Sequence, residues 1–462
     1  MRTARAQKSS LKTCQYLSLS KYEKVDQIVE ANPLAKGDTS APRLPCSEIL
    51  KTQPVEQLKD MGDTSLPEGT VEPATPLSEV RQEPHDLPSP ALEWTTCDLN
   101  SDDMCAEVCN FLNQHYADVK QLFKENYTNE FLRWALCPPG YYQSWHIGVR
   151  AKTSKKLVAF ISGVPERIRV HDEVVKFAKI DILCVQKSLR STGIAHAMIK
   201  EVTRRVHLED IWQAAYSLPN IRAKKPVTTI VCHCQYWMRM LNPQKLVDTG
   251  FTSYRNKEQV RRFNKANKLP DATVTPGFRE MELRDVPAVT ELLRNYLREF
   301  RVATDFDEND VKHWLLPREN VVHFYVVECP VTHVVTDFCS TFTVSLTIDG
   351  NLRHKTVEIA YSYYNVATQT PLPQLMKDAL IVSNQKGIDV TCVHLLHFVT
   401  CVHLLHFVLE TRRNLTLMSK VNANLNYSYD TFYIRFSVEI MRYNNLNVRI
   451  ILLVTEPVKA SV

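Results

Sequence analysis

Residues 179–205, KIDILCVQKSLRSTGIAHAMIKEVTRR, constrain the fold more than any other stretch of the 462-residue chain. The apolar run Ile180-Asp181-Ile182-Leu183-Cys184-Val185 has strand character, and polar turn residues follow it. Ile194, Met198, Ile199, Val202 and Val206 then recur at the spacing of one buried helical face. Between strand and helix sit Arg190, Ser191, Thr192, Gly193, Ile194 and Ala195. A strand that enters a helix through a glycine turn aims backbone N–H groups and the positive helix end at one spot, where a phosphate is stabilised. Gly193 is informative because the chain has only 11 glycines, and Arg190 adds a planar, permanently charged donor. The segment reads as a turn for a diphosphate such as that of coenzyme A. Taken alone, it reads equally well as an ordinary strand–turn–helix with a solvated arginine.

The rest of the composition is that of a soluble globular chain, 44% hydrophobic and 23% charged, long enough for two or three domains. A net charge of +5, from 56 basic and 51 acidic residues, argues against bulk nucleic-acid binding but leaves room for a local anion pocket. Thirteen cysteines without a CxxC pair or regular spacing suggest reduced thiols in an intracellular compartment. No N-terminal apolar segment is long enough for a signal peptide. The first 22 residues are basic, serine-rich and free of acids, a composition shared by transit peptides and disordered tails; the tail is the reading preferred here.

Residues 1–90 hold ten of the 24 prolines and little periodicity, so much of this region is expected to be extended or disordered. Strands are expected at 145–150, 157–162, 167–170 and 179–185, before the helix that follows Gly193. This order describes an antiparallel sheet whose last strand feeds a ligand turn. A polar joint at 267–277 precedes a second unit, in which a strand at 278–284 stops at Asp285, the expected helix N-cap. Val289, Leu292, Leu293, Tyr296 and Leu297 share one face of that helix. Strands at 321–328, 335–343 and 357–363 and a helix at 372–384 repeat the element order of the first unit.

With these residues in place, the chain resembles the N-myristoyltransferase family, glycylpeptide N-tetradecanoyltransferases. The likeness runs from about residue 50 to about residue 391 through collinear pieces: 52–55 (TQPV), 81–84 (RQEP), 130–136 with 138–140, and 145–150 (WHIGVR). It continues through 157–162, 179–187, 202–209, 236–243, 335–338 (VTDF), 360–371 (AYSYYNVATQTP) and 386–390. The resemblance implies an α/β (α+β) fold of two acetyltransferase-like (GNAT-type) units packed as a pseudo-repeat behind a disordered N-terminal tail. The expected division is a polar tail at 1–45, an acyl-CoA-binding unit at 46–275, a peptide-binding unit at 276–391 and a divergent tail at 392–462.

The implied reaction moves a fourteen-carbon acyl group from its CoA thioester to an N-terminal glycine amine. Myristoyl-CoA is then a co-substrate, with no permanently bound cofactor and no metal. By the same resemblance, the backbone N–H groups of Ile182 and Leu183 form an oxyanion hole. Leu183, Cys184 and Val185 line the thioester and pantetheine, and Arg190, Ser191, Thr192, Gly193, Ile194 and Ala195 hold the phosphates. Ser47, Glu48, Ile49 and Leu50 join the CoA site, with Ile49 and Leu50 replacing an aromatic pair. The C-terminal carboxylate, here of Val462, is implied as the base. Lys179, Asp181, Ile182 and Gln186 stand where the family carries Glu, Asn, Phe and His, and Met238 stands where it carries His. The implied partners are myristoyl-CoA and glycine-initiated protein N-termini. No nucleic acid and no stable membrane insertion are expected, and a cytoplasmic monomer is.

After Val390 the likeness stops. The segment 390–398, VTCVHLLHF, recurs unchanged at 399–407. Nine extra residues rotate a helix about half a turn out of phase, and an odd insertion reverses every face of a strand, so the end of the chain is not expected to dock as the family's does. The four histidines and two cysteines of this tract, and Cys232, His233 and Cys234, read as core or strand residues rather than as a metal site. Two alternative functions stand beside the leading one. One is a catalytically impaired acyl-CoA-binding homologue. The other is a general CoA-dependent N-acetyltransferase, suggested by the Arg-x-x-Gly-x-Ala pattern at 190–195.

Overall fold

The computed structural model describes residues 76–396 apart from 117, 120–122, 171–172, 219–229, 253–256, 267, 301 and 352, together with 69–70, 434–438 and 441–442. The first unit begins with β1 (Leu92–Thr96) and α1 (Asp102–His115), followed by β2 (Phe123–Asn126) and α2 (Asn129–Leu136). Both helices start where a hydroxyl satisfies an unpaired amide: Ser101 Oγ accepts from Met104, and Thr128 Oγ1 from Phe131 at 3.1 Å. Then come β3 (His146–Ala151), β4 (Leu157–Val170), β5 (Glu173–Val185), α3 (Ile194–His207) and β6 (Ala214–Leu218).

A connecting strand β7 (Ile230–Met240) leads to the second unit. This unit runs through β8 (Phe278–Glu280), α4 (Val286–Leu297), β9 (Val302–Thr304), α5 (Glu308–Trp314) and β10 (Val322–Glu328). It closes with β11 (Val335–Ile348), β12 (Thr356–Val366), α6 (Leu372–Gln385) and β13 (Val390–Leu396). Each unit is thus a strand, two helices, three antiparallel strands, a crossover helix and a parallel strand. The two-unit expectation holds. One sheet path joins the units in the order β8-β10-β11-β12-β13-β7-β14-β6-β5-β4-β3-β1, where β14 is Ile434–Val438. Each unit also lends a short strand to the other: β2 pairs with β11, and β9 pairs with β4.

Two expected strands, 157–162 and 167–170, are one. Gly163-Val164-Pro165 reads as a turn, yet β4 runs straight through it. The β3 pairing of β4 ends at Ser162 and the β9 pairing begins at Ile168, so Pro165 sits where that side of the strand needs no N–H donor. Asp285 stands at the N-cap position of α4, but its side chain makes no cap bond there. Its carboxylate instead accepts from the Glu282 amide and from Arg279 at 2.7 and 2.8 Å.

Helical periodicity reads the cores well. Ile194, Met198, Val202 and Val206 of α3 are buried with Trp145, Ile147 and Ile161, while Val289, Leu293 and Leu297 of α4 pack with Phe324 and Phe338. Buried carboxylates tie the family-like segments together. Asp337 of the VTDF stretch accepts from the amides of Thr368, Gln369 and Thr370 at 2.6, 2.8 and 3.1 Å, which shapes the ATQTP turn. Glu201 accepts from the His85 amide and from Arg204, and Arg204 in turn donates to the Gln82 carbonyl. The RQEP stretch is therefore held by α3. Arg167 of β4 pairs with Asp305, Asp307 and Asp310, locking the first unit to the second.

Candidate functional site

The site is organised by one irregularity in β5. Its register against β4 passes from Ile180 opposite Gly163 to Ile182 opposite Ser162, so Asp181 is an unpaired, bulged residue. The bulge inverts the alternation of faces. Ala178 and Ile180 pack on the α3 side before it, and Leu183 and Val185 do so after it. Ile182 and Cys184 turn to the other face, against Phe160 and Leu112. On its other edge, β5 pairs in parallel with β6 only at Ala178, Lys179 and Ile180. Among the described residues, β5 from Asp181 onward has a strand partner on the β4 side alone.

Of the expected oxyanion donors, the Ile182 amide donates to Ser162 Oγ at 3.2 Å, at the long end of the range for such bonds. Leu183 is the next residue of the same strand. Cys184 is 2% exposed, and burial pushes its thiol up to about 12, outweighing the pull of Arg190 and Lys187.

The turn that follows has the backbone the sequence suggested. Gly193 takes the left-handed conformation (φ +89°) and precedes α3, whose start carries no side-chain cap. The first-turn amides, including those of Ile194 and Ala195, thus lie at an uncapped helix end. Ser191 is also left-handed (φ +68°), an uncommon state for a residue with a side chain. Thr192 Oγ1 donates to the Leu189 carbonyl at 2.7 Å. Arg190 differs from the solvated or phosphate-facing side chain considered above. Its guanidinium donates to the carbonyls of Val185, His115 and Tyr116, at 3.3, 2.5 and 3.4 Å. Ser47, Glu48, Ile49, Leu50 and Val462 lie outside the described residues.

Beside the bulge lies a cluster that sequence reading found only in part. Lys179 Nζ sits 2.7 Å from Glu166 Oε1, 3.4 Å from Asp181 Oδ2 and 5.5 Å from the centre of the Trp314 ring. The three charged side chains are only 13–17% exposed. Burial pushes the Asp181 carboxyl up to about 6, against the pull of Lys179 and with the repulsion of Glu166. Burial also lifts Tyr363 well above the usual phenol range, with Tyr364, Glu166 and Asp181 adding to it. Lys179 and Asp181 were visible as departures from the family pattern; Glu166 was missed. Its signal was an acid within an otherwise strand-like segment that pairs with the Lys179 strand.

On the far side of Cys184, the Tyr127 hydroxyl donates to Glu125, whose carboxyl burial pushes up to about 7. Met238 of β7 is 41% exposed, and His233 is paired in sequence order between Cys232 and Cys234 on the same strand. The segment 390–396 of the first nonapeptide copy forms β13, between β12 and β7; the second copy lies outside the described residues.

Comparison with known proteins agrees with this architecture. Residues 70–232 match the N-terminal domain of myristoyl-CoA:protein N-myristoyltransferase, and residues 248–411 match its C-terminal domain. The chain is 64% identical over 380 residues to glycylpeptide N-tetradecanoyltransferase 1 of Arabidopsis thaliana, covering 80% of this chain and 86% of that protein. It is 44% identical over 344 residues to glycylpeptide N-tetradecanoyltransferase 2 of Bos taurus, covering 74% and 67%. The structure of Saccharomyces cerevisiae N-myristoyltransferase with bound myristoyl-CoA superposes with a TM-score of 0.71 at 28% identity, over 88% of this chain and 99% of that one. Two matched domains, a fold shared along nearly the whole chain and close relatives together lead to one conclusion: the chain belongs to the N-myristoyltransferase family.

Proposed function

We propose that the chain transfers the fourteen-carbon acyl group of myristoyl-CoA to the N-terminal glycine amine of proteins. The observation that carries this reading is the parting of β5 from β6 after Ile180, next to the bulge and upstream of the left-handed helix start at Gly193. The parting leaves a strand edge at Leu183, Cys184 and Val185 for an extended pantetheine arm. The turn from Arg190 through Ser191, Thr192, Gly193 and Ile194 to Ala195 then takes the phosphates, through its amides at the helix start. Ser47, Glu48, Ile49 and Leu50 complete the CoA seat. Residues 46–275 form the acyl-CoA unit and 276–391 the peptide unit, flanked by the tails at 1–45 and 392–462.

A thioester carbonyl at the bulge meets the N–H groups of Ile182 and Leu183. A developing oxyanion is a stronger acceptor than the Ser162 hydroxyl and displaces it from the Ile182 amide. Cys184 stays a neutral thiol at physiological pH, which argues for direct transfer rather than an acyl-cysteine intermediate. The glycine nitrogen bonds the carbonyl carbon, and the π pair moves to oxygen. Collapse expels the CoA thiolate, which leaves as the thiol with a proton from the nitrogen. The family resemblance gives the preceding deprotonation of the glycine ammonium to the C-terminal carboxylate, here of Val462. The protein acts as a cytoplasmic monomer without nucleic acid; no described helix is long and apolar enough to cross a membrane.

The test is incubation of the full chain with myristoyl-CoA and a glycine-initiated peptide, read by mass spectrometry. A peptide carrying one tetradecanoyl group is the expected product. Tight myristoyl-CoA binding without product identifies an impaired homologue, and preferential transfer from acetyl-CoA identifies a general acetyltransferase.

A further inference from the structure

We propose that Asp181 is a catalytic residue of this chain: its carboxylate receives the ammonium of the incoming glycine and takes the proton that must leave before attack. The assignment rests on the acyl-transfer reading above.

Three observations converge on it. The first is position. Asp181 is the bulged residue immediately before Ile182, so its carboxylate is fixed beside the amide that faces the thioester oxygen. An amine held there lies at the reacting carbon rather than at a distance from it.

The second is charge. Glu166, Lys179 and Asp181 form a nearly buried cluster with two acids and one base, and Lys179 lies closer to Glu166, at 2.7 Å, than to Asp181, at 3.4 Å. Lys179 therefore neutralises Glu166 first, and the cluster keeps one negative charge centred on Asp181. A buried uncompensated charge is costly, and a cation entering from the peptide side relieves it. The other charged or titratable groups facing the cluster are Tyr363 and Tyr364 of β12, both held as neutral phenols by burial. Trp314 of α5 adds a ring face that favours a cation but does not titrate. The site is shaped for an ammonium.

The third is proton affinity. Burial raises the Asp181 carboxyl to about 6, with Lys179 opposing and Glu166 assisting. An unperturbed α-ammonium titrates near 7.7–8.0, so transfer to Asp181 is uphill by only about a hundredfold. An ordinary exposed aspartate, at about 3.9, would leave it uphill by roughly ten-thousandfold. The balance is simple. The ammonium gives one proton to Asp181 and becomes the neutral nucleophile. After attack, the second nitrogen proton goes to the departing CoA thiolate, and Asp181 returns its proton to solvent.

The test compares the full chain with Asp181→Asn, an isosteric change to the residue the family carries here, and with a chain extended by a short Gly-Ser tail that moves the terminal carboxylate. Product formation from myristoyl-CoA and a glycine-initiated peptide is followed from pH 5 to pH 8, with myristoyl-CoA affinity as the control for folding. The expected result is a loss of at least about a hundredfold in kcat/KM for Asp181→Asn at pH 7, the size of a lost general base. The rise in activity through about pH 6 disappears in that variant, myristoyl-CoA affinity is retained, and the extended chain keeps its activity. Full activity of Asp181→Asn, or loss of activity on extension alone, overturns the assignment. Myristoyl-CoA binding with no product from the unaltered chain overturns the transfer reading itself, and the assignment with it.

Discussion

Arg190 Nη2 donates to the carbonyl oxygen of His115 at 2.5 Å, so the arginine of the ligand turn is anchored to the C-terminal end of α1. The last carbonyls of a helix lack partners within it, and a guanidinium is well matched to them. Arg190→Ala is expected to lower stability by about 0.5–1.5 kcal/mol, read from the denaturant midpoint, and to weaken myristoyl-CoA binding by loosening the turn. A fall in affinity at an unchanged midpoint would show that the guanidinium touches phosphate directly.

Asp337 accepts from three successive amides and from the Thr370 hydroxyl at 3.0 Å while fully buried. Asp337→Ala strands those donors, each worth about 1–3 kcal/mol when left buried and unpaired. The variant is expected to lose at least about 3 kcal/mol in chemical denaturation. A loss below about 1 kcal/mol would mean that water replaces the carboxylate.

Glu125 offers a pH signature. Its folded carboxyl lies near 7, above the unfolded value, so the folded state binds the proton more tightly. Its contribution is present below about pH 4.5 and is lost as pH rises through about 7. Glu125→Gln, which keeps a carbonyl acceptor for Tyr127, should be more stable than the parent at pH 8 by up to about 3 kcal/mol. The difference should shrink towards pH 5. Parallel stability curves for the two proteins from pH 5 to pH 8 would falsify this account.

Lys179 holds two buried carboxylates apart. Replacing it with Met leaves both without a countercharge, at a cost of about 3–5 kcal/mol near neutral pH. Acidification should recover part of the loss, because protonation removes the repulsion. Thermal unfolding of Lys179→Met at pH 5 and pH 8 measures both.

The site was legible wherever one face alone is buried. Ile194, Met198, Val202 and Val206 announced α3, and Gly193 announced the turn before it. The bulge at Asp181 was not legible, because residues on both faces of β5 are apolar and a change of phase leaves no mark in such a run. Pro165 misled for a related reason: a proline forbids one hydrogen bond, and only the sheet reveals that no partner was waiting for it. The partners of Arg190 are main-chain carbonyls, which no side-chain pattern records. Glu166 and Lys179 are 13 positions apart and meet because β4 and β5 fold into a hairpin.

The strand β13 joins the two half-sheets, and its residues occur twice in the chain. Side-chain fit cannot discriminate between copies with identical sequence, so the slot between β12 and β7 is degenerate in its local energetics. The tether breaks the tie. Four residues, 386–389, connect α6 to the first copy, whereas thirteen, 386–398, would connect it to the second. For a flexible connection, closing the longer one costs about 1 kcal/mol more. A difference of that size favours the first copy by roughly fivefold, so chain entropy, rather than recognition, selects which copy completes the sheet.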